Sequence, residues 1–360
     1  MSDQDYAIVI GIQRYPTLAP PHPPGEPHDL EGSNLDAQAI YDWLGEPEGG
    51  DVPEEQRLLV NSALYPNPFE ERMVGNRRQV FAQPNALDLA GCFGWLVEEL
   101  DRRDTLQLGR RLYVYFSGHG FAVGDCDGGV YTADASFVQN HFYVRNWFDW
   151  FYRNRYFKEY VLWADACADP ISIQGAPTAA PLPDRQVAGL AEGRRFIAFA
   201  AKHTLRSVER LMPDGNIRGV FTYSLIEALR GAAADKQTGE VTSESLRTQL
   251  PILQMGNLPQ QDLENVDVDN HPSFGPTEDM VFCKPVDVMK FDRKIRFDVR
   301  HTGKTATLLD GGFSEIATFE INGNPWTVSL HLGLYSVEVE PDASALISVK
   351  GRSTDDIFIA

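Results

Sequence analysis

The 360-residue sequence has few cysteines, no long apolar run and a shortage of basic residues. Its four cysteines (Cys92, Cys126, Cys167 and Cys283) are isolated, without a Cys-x-x-Cys pair. This spacing argues against a disulfide framework and favours reduced thiols in the cytoplasm. No apolar stretch approaches the roughly 18 residues of a membrane helix, and no basic, cleavable leader precedes the first apolar run. We therefore expect a cytoplasmic protein with no membrane partner.

The sequence has fewer basic than acidic side chains: 32 Lys and Arg against 51 Asp and Glu, which gives a formal net charge of −19. A field of this sign repels nucleic acid and attracts basic segments of a partner. Solubility or a salty environment would explain the same charge equally well. We expect no nucleic-acid partner.

Residue types that bind metals do not cluster with a recognisable ligand spacing. Asp125, Asp127 and Asp134 fall in a Gly-rich acidic stretch, but Asp-Cys-Asp-Gly-Gly lacks the spacing of an EF-hand loop. An acidic turn is the better interpretation. We expect no cofactor and no bound metal, and activation by calcium stays open.

Short apolar runs alternate with helical patterns over the first 285 residues. Residues 6–12, 111–116 and 160–164 are apolar runs typical of buried strands, and the spacing over 89–100 predicts an amphipathic helix. The alternation predicts an α/β fold with a doubly wound, mostly parallel sheet. The polar stretch 61–84 is predicted to be a long exposed loop.

The pattern changes near residue 285. Strand-like runs between turn residues, without helical periodicity, follow at 295–299, 305–309, 316–321, 327–332 and 335–339. We therefore predict two domains, residues 1–285 and a small antiparallel β-domain over 286–360. A domain of this size folds alone only marginally, so we expect it to dock on the first domain or on a partner.

Two motifs carry the chemistry, Tyr-Phe-Ser-Gly-His-Gly at 115–120 and Trp-Ala-Asp-Ala-Cys-Ala-Asp at 163–169. His119 and Cys167 each come just after a predicted strand, so parallel neighbouring strands would bring both to one sheet edge. A thiol needs a nearby base to attack as thiolate. A single His or Cys here is usually structural, but the pair predicts a hydrolase with Cys167 as nucleophile and His119 as base. The backbone N–H groups of Gly120 and Cys167 are oxyanion-hole candidates.

These motifs resemble those of the caspase-like cysteine peptidases, the clan of caspases, metacaspases and gingipain-like enzymes. The resemblance covers about residues 6–283 and extends to Tyr-Ala-Ile-Val-Ile-Gly-Ile at 6–12, Gly-Ser-Asn-Leu-Asp-Ala at 32–37 and the helix at 221–231. It implies the caspase fold and a bacterial metacaspase-like or orthocaspase-like endopeptidase. It also implies a regulated thiol protease, latent as a zymogen, in a stress, cell-death or antiphage pathway.

The resemblance further implies a substrate pocket (S1) for the residue before the scissile bond (P1). Asp36, Ser117 and Asp165 match the acidic pocket of metacaspases, and Ser33 replaces a family cysteine. Leu30 stands where caspases place the arginine that holds a P1 aspartate. Two carboxylates in one pocket suit a guanidinium or an ammonium, which predicts cleavage after Arg or Lys. Taken singly, Asp36 is also an ordinary first-turn helix carboxylate, and Asp165 a structural hydrogen-bond acceptor.

The resemblance also implies roles for two further segments. In relatives the Pro- and Gly-rich stretch 170–193 joins the halves of the catalytic domain and is cut on activation. An arginine-directed enzyme would cut itself after Arg185, although an uncut connection is the alternative. Residues 325–339 weakly resemble the PEGA-type or immunoglobulin-like β-modules appended to bacterial enzymes, which mediate docking.

Other functions stay open beside the protease. One is a catalytically silent interaction module, against which the retention of both His119 and Cys167 argues. Another is a dyad hydrolase acting on a non-peptide acyl substrate, which the acidic pocket disfavours. The expected partners are a protein substrate with a basic P1 residue and an activating protein, and the expected state is a monomer.

Overall fold

The structure, a computed structural model, describes residues 5–16, 29–65, 69–136, 139–167, 183–184, 189–269, 271–339, 341, 343–351 and 356–360. The strands before residue 285 are β1 (Asp5–Gly11), β2 (Arg57–Asn61), β3 (Phe69–Val74), β4 (Arg77–Ala82), β5 (Gly109–Ser117), β6 (Gly120–Gly124), β7 (Asp127–Ser136), β8 (Gln139–Phe142), β9 (Phe157–Asp165), β10 (Arg194–Phe199), β11 (Glu209–Leu211), β12 (Ile217–Gly219), β13 (Val241–Thr242), β14 (Ser273–Thr277) and β15 (Val281–Cys283). The helices are α1 (Ser33–Gly45), α2 (Ala86–Arg103), α3 (Val144–Arg153), α4 (Val220–Glu227), α5 (Ser243–Asn257) and α6 (Gln260–Leu263). Shorter helical turns span Glu54–Gln56, Ser62–Leu64, Ala228–Ala232 and Val299–His301. The later strands are β16 (Phe291–Phe297), β17 (Thr305–Asp310), β18 (Glu315–Glu320), β19 (Trp326–Leu330), β20 (Gly333–Val339), β21 (Ala343–Val349) and β22 (Ile357–Ile359).

Six strands form the central sheet in the order β14-β10-β9-β5-β1-β2. All neighbours in it are parallel except β14, which runs antiparallel to β10. The predicted α/β fold with a mostly parallel sheet is therefore confirmed. In particular, β5 and β9 are direct parallel neighbours, so the residues that follow them emerge at the same edge.

Helices cover both faces of this sheet, which is why its inner strands β1, β5 and β9 contain long apolar runs. In β1, Tyr6 and Ile8 enter one hydrophobic core with residues of α2 and α3, while Ala7 and Val9 enter a second core with residues of α1, α4 and α5. Successive side chains of a strand point to opposite faces. Burial on both faces therefore requires the continuous apolar runs that the sequence shows.

Several local predictions were wrong. The stretch 61–84 is not a plain loop, because β3 and β4 form an antiparallel hairpin within it. Its strands carry Glu and Arg, and Met73 near its turn is 66% exposed, so no buried face marks it in the sequence. The aromatic residues at 147–157 predict one helix, but helix α3 spans Val144–Arg153 and Phe157 already belongs to β9. The last strand that the sequence predicts at 280–283 is present as β15 and pairs with β13, while β14 supplies the outer strand of the central sheet.

The later strands form two sheets, β19-β16-β22 and β18-β17-β20-β21. All five strands predicted for this region are present, and β21 and β22 are additional. The region packs on α5: a side chain at Gly256 would place its Cβ 2.0 Å from the carbonyl oxygen of Lys350. Its apolar residues also continue the core beneath α1, α4 and α5. The domain boundary at 285 and the PEGA-like or immunoglobulin-like character stay predictions.

Across the described ranges, no helix is both long enough and apolar enough to cross a membrane.

Candidate active site

His119 lies in the two-residue link between β5 and β6 at the carboxyl edge of the central sheet. Its backbone N–H donates to the hydroxyl of Tyr15 at 2.8 Å. Its carbonyl accepts the N–H of Tyr131 on β7 at 2.9 Å. Both polar backbone groups of this residue are therefore held by neighbouring segments, which fixes where its side chain starts.

Cys167 follows β9 at the same edge. Ser117 and Asp165, the last residues of β5 and β9, are opposite each other in the parallel ladder. Cys167 lies two residues beyond Asp165, as His119 does beyond Ser117. A Cβ added to Gly120 would lie 2.5 Å from the Cβ of Ala166 and 2.8 Å from the carbonyl oxygen of Cys167. The two loops thus touch at Gly120, where only a glycine fits.

Asp165 is one of two buried carboxylates that meet beside this edge. A Cβ added to Gly219 would lie 2.1 Å from Oδ2 of Asp165 and 2.9 Å from Oδ2 of Asp36. Asp165 accepts hydrogen bonds from the hydroxyl of Ser207 at 2.7 Å, the hydroxyl of Thr222 at 2.6 Å and the N–H of Thr222 at 3.0 Å. Burial raises the pKa of Asp165, and the bonds from Thr222 and Ser207 oppose that rise. The Cys167 thiol donates to the carbonyl of Ser207 at 3.4 Å, so one residue contacts both the carboxylate and the thiol.

Asp36 is already paired within the protein. It accepts a hydrogen bond from Nε of Arg218 at 2.6 Å and from the N–H of Gly219 at 2.8 Å. Arg218 in turn contacts Asp214 at 3.2 Å. Burial, and then the charge of Asp165, raise the pKa of Asp36 well above its usual range, while Arg218 opposes them. No motif in the sequence predicts a role for Arg218.

Glu209 is a third carboxylate of the cluster, and it too had no assigned role. It accepts the N–H of Gly32 at 2.9 Å and the N–H of Glu31 at 2.8 Å. Burial raises its pKa, these two N–H groups oppose the rise, and the charge of Asp165 adds to it. The residue types before α1 predict Ser33 or Asn34 as its N-cap, but the N-cap is Gly32. Glu209 therefore sits at a helix N-terminus, which favours a negative charge.

Glu209 and Arg218 both belong to the antiparallel pair β11–β12. Each is more than 170 positions from its partner on α1 or at the start of that helix. No local pattern in the sequence connects them with that helix. Only the acidic and basic character of the hairpin would have pointed to a role beside a charged pocket.

The remaining predicted site residues have simple outcomes. Ser117 is buried at the end of β5, directly opposite Asp165. Arg185 lies outside the described residues. Asp125 accepts the N–H of His203, and Asp134 accepts the hydroxyl of Thr132. In the described part of the chain, no group of three or more His, Cys, Asp or Glu side chains is arranged to hold a metal ion.

A cavity of about 480 Å³ lies at the opposite, amino edge of the sheet and contains neither His119 nor Cys167. Three arginines line it, but Arg110 is paired with Asp5, and both Arg111 and Arg194 are paired with Glu159. Each arginine of the cavity wall therefore has a carboxylate partner, although three guanidinium groups share two carboxylates. Open α/β sheets generally place their sites at the carboxyl edge instead, where His119 and Cys167 lie.

A family model described as the caspase domain matches residues 4–255. The chain belongs to the caspase-domain peptidases. The matched residues include the segments that follow β1, β5 and β9, and with them both His119 and Cys167.

One curated relative is a probable protease of a Desulfuromonadales bacterium, which is 28% identical over 244 residues. That match covers 65% of this chain but only 27% of the relative. Among solved structures, caspase-1 from Spodoptera frugiperda has a TM-score of 0.47 at 14% identity and covers 80% of this chain and 93% of its own. A Geobacter sulfurreducens protein has a TM-score of 0.42 at 12% identity and covers 76% and 93%.

Proposed function

We propose that this caspase-like peptidase is an endopeptidase that cleaves proteins after arginine or lysine, with Cys167 as nucleophile and His119 as base. The proposed specificity for arginine or lysine is supported by one observation. Within the described part of the chain, the carboxylates of Asp36, Asp165 and Glu209 gather beside the Cys167 loop, and the guanidinium of Arg218 is bonded to Asp36. The surplus of negative charge suits a cationic P1 side chain and repels an acidic one.

The reaction follows from the chemistry of the pair. His119 takes the thiol proton of Cys167, and the sulfur attacks the carbonyl carbon of the scissile bond. The N–H groups of Gly120 and Cys167 donate to the developing oxyanion. The protonated imidazole then gives its proton to the leaving amine, and the peptide C–N bond breaks to leave a thioester. A water molecule activated by the imidazole hydrolyses that thioester and restores the thiol.

We propose that Asp165 and Glu209 supply the negative charge with which the S1 pocket binds a P1 arginine or lysine. The donors to Asp165 are neutral hydroxyl and N–H groups, so its charge has no direct cationic partner among those bonds. Asp36 is instead compensated by Arg218 at 2.6 Å. Ser117, opposite Asp165, completes the end of the pocket beneath the histidine.

The biological setting is proposed on the family resemblance alone. It places the enzyme in a bacterial stress, cell-death or antiphage pathway, as a latent protease released by an activating protein. Self-cleavage after Arg185 is part of the same proposal. It is tested on a denaturing gel: the active enzyme should run as two fragments, and Arg185→Ala should run as one intact chain.

Fluorogenic peptides that differ only in P1 test the proposed specificity. We expect turnover with P1 arginine and lysine, and little with aspartate, alanine or citrulline, the uncharged isostere of arginine. Each peptide is assayed with calcium present and with calcium chelated. Preference for aspartate would overturn the pocket assignment, and hydrolysis of simple esters without any peptide turnover would favour the non-peptide acyl hydrolase.

The pH dependence of this preference follows from the raised pKa of Asp165. A raised carboxyl pKa means that the neutral form persists to a higher pH than in an ordinary aspartate. As the pH falls, kcat/KM for P1 arginine should therefore decrease relative to citrulline before an ordinary aspartate would be protonated. Titration of the catalytic pair affects both peptides alike, so the ratio isolates the pocket. A ratio that stays constant down to the ordinary pKa of aspartate would contradict the assignment of Asp165.

A further inference from the structure

Tyr15, just beyond β1, is buried directly against His119. Its side chain is 1% exposed, and its ring centroid lies 4.7 Å from that of the imidazole, with the planes inclined at 58°. Its hydroxyl donates to the carbonyl of Ile12 at 2.9 Å and accepts the N–H of His119 at 2.8 Å. One side chain thus contacts both the backbone and the ring of the histidine.

The surrounding chain is shaped around this hydroxyl. A Cβ added to Gly118 would lie 2.5 Å from the hydroxyl oxygen of Tyr15, so the residue before His119 has to be a glycine for the contact to exist. Tyr15 is itself held, because its N–H donates to Oδ1 of Asp29 at 2.8 Å. Burial raises the pKa of Tyr15 far above its ordinary value. The hydroxyl therefore keeps its proton for Ile12 and offers a lone pair to His119.

We propose that Tyr15 is a positioning residue that fixes the place and the orientation of the His119 imidazole beside Cys167. This inference rests on the proposed role of His119 as base. The hydroxyl sets the position of the backbone from which the imidazole extends, and the aromatic ring limits the directions that it can take. Proton transfer needs close alignment of donor and acceptor, and a displacement of about 1 Å can cost about 100-fold in rate.

Tyr15→Phe removes only the hydroxyl and is the direct test. We expect kcat for a P1-arginine peptide to fall about 10- to 100-fold with KM little changed, because the substrate pocket is untouched. We also expect alkylation of Cys167 by iodoacetamide at mildly acidic pH to slow toward the rate of His119→Ala, since a displaced imidazole supports the thiolate less well.

Tyr160→Phe is the matched control. Tyr160 is equally buried, and its hydroxyl also accepts a backbone N–H, from Phe157 at 2.7 Å, and donates to a backbone carbonyl, that of Phe151 at 3.0 Å. It lies toward the amino end of β9, away from the catalytic edge. Both variants should shift the thermal unfolding midpoint by similar amounts, and only Tyr15→Phe should lower kcat. Equal kinetics in the two variants would overturn the proposal.

If Tyr15→Phe does not fold, Asp29→Ala provides a second test of the positioning role of Tyr15. Asp29 is exposed, so its loss frees the backbone of Tyr15 without disturbing the core, and kcat should fall several-fold with KM unchanged. Wild-type kcat and wild-type alkylation in this variant would then contradict the positioning role. His119→Ala distinguishes a failure of the positioning role of Tyr15 from a failure of the proposed function. Full activity in His119→Ala would show that His119 is not the catalytic base.

Discussion

Cys167→Ala is expected to abolish peptide hydrolysis, with kcat/KM falling on the order of 10⁴-fold or more because the covalent route is lost. His119→Ala should cost about 10²- to 10⁴-fold, since the thiol then lacks its general base and the leaving amine its acid. The measurement is initial-rate hydrolysis of a P1-arginine peptide at substrate concentrations below KM.

The other three cysteines provide the control for the nucleophile. Burial raises the pKa of Cys92 to about 11 and that of Cys283 to about 12, and it also raises the pKa of Cys126. These thiols stay protonated near neutral pH and should react slowly with iodoacetamide. Cys92→Ala should therefore retain wild-type kcat/KM.

Alkylation of the native enzyme gives an independent readout of the same prediction. A single equivalent of iodoacetamide should modify Cys167 and inactivate the enzyme in proportion, and His119→Ala should slow that modification. Mass spectrometry of the labelled chain identifies the residue. Inactivation that follows labelling of Cys92 instead, or turnover that survives in Cys167→Ala, would show that the nucleophile is assigned to the wrong residue.

Asp165→Asn is expected to remove most of the preference for a charged P1 residue. We expect the ratio of kcat/KM for P1 arginine to that for P1 citrulline to fall about 100-fold, because loss of one partner of a buried charge pair typically costs about 2–5 kcal/mol. Asparagine has nearly the shape of aspartate. Its one carbonyl oxygen can still accept from Thr222, and its NH2 group can donate to the hydroxyl oxygen of Ser207. The citrulline peptide should therefore be cleaved almost as before.

Asp36 is expected to behave differently because Arg218 already compensates it. Asp36→Asn alone leaves the Arg218 guanidinium without its closest carboxylate beside the pocket, so the arginine preference should fall here as well. The double variant Asp36→Asn with Arg218→Gln removes the pair together and should restore most of that preference. Non-additive results are expected, since the two residues are in direct contact.

The comparison of these variants decides which carboxylate serves the substrate. If Asp165→Asn leaves the ratio unchanged while the Asp36 and Arg218 double variant loses it, then the substrate displaces Arg218 and binds Asp36 directly. Thermal unfolding of each variant shows whether a change in ratio reflects the pocket or a loss of folding.

Much of the architecture was predictable because its causes are local. A strand buried on both faces must be apolar throughout, so residues 6–12, 111–116 and 160–164 marked three central strands. His119 and Cys167 follow two of them, and parallel pairing of β5 with β9 brings their loops together at Gly120. The exposed β3–β4 hairpin and the strand β21 escaped prediction because polar residues interrupt their apolar ones, and β22 escaped because it is only three residues long.

The sequence by itself determined the parallel sheet, the family and the motifs that carry the proposed dyad, since each depends on neighbouring residues along the chain. Tertiary structure alone decided what surrounds them. Arg218 meets Asp36, Glu209 meets the start of α1, and the Tyr15 hydroxyl meets His119, each across a separation of more than 100 residues. Such contacts exist only once the sheet has formed and buried charges and hydroxyls have to find partners. The identity of one residue does not reveal which distant partner it will find.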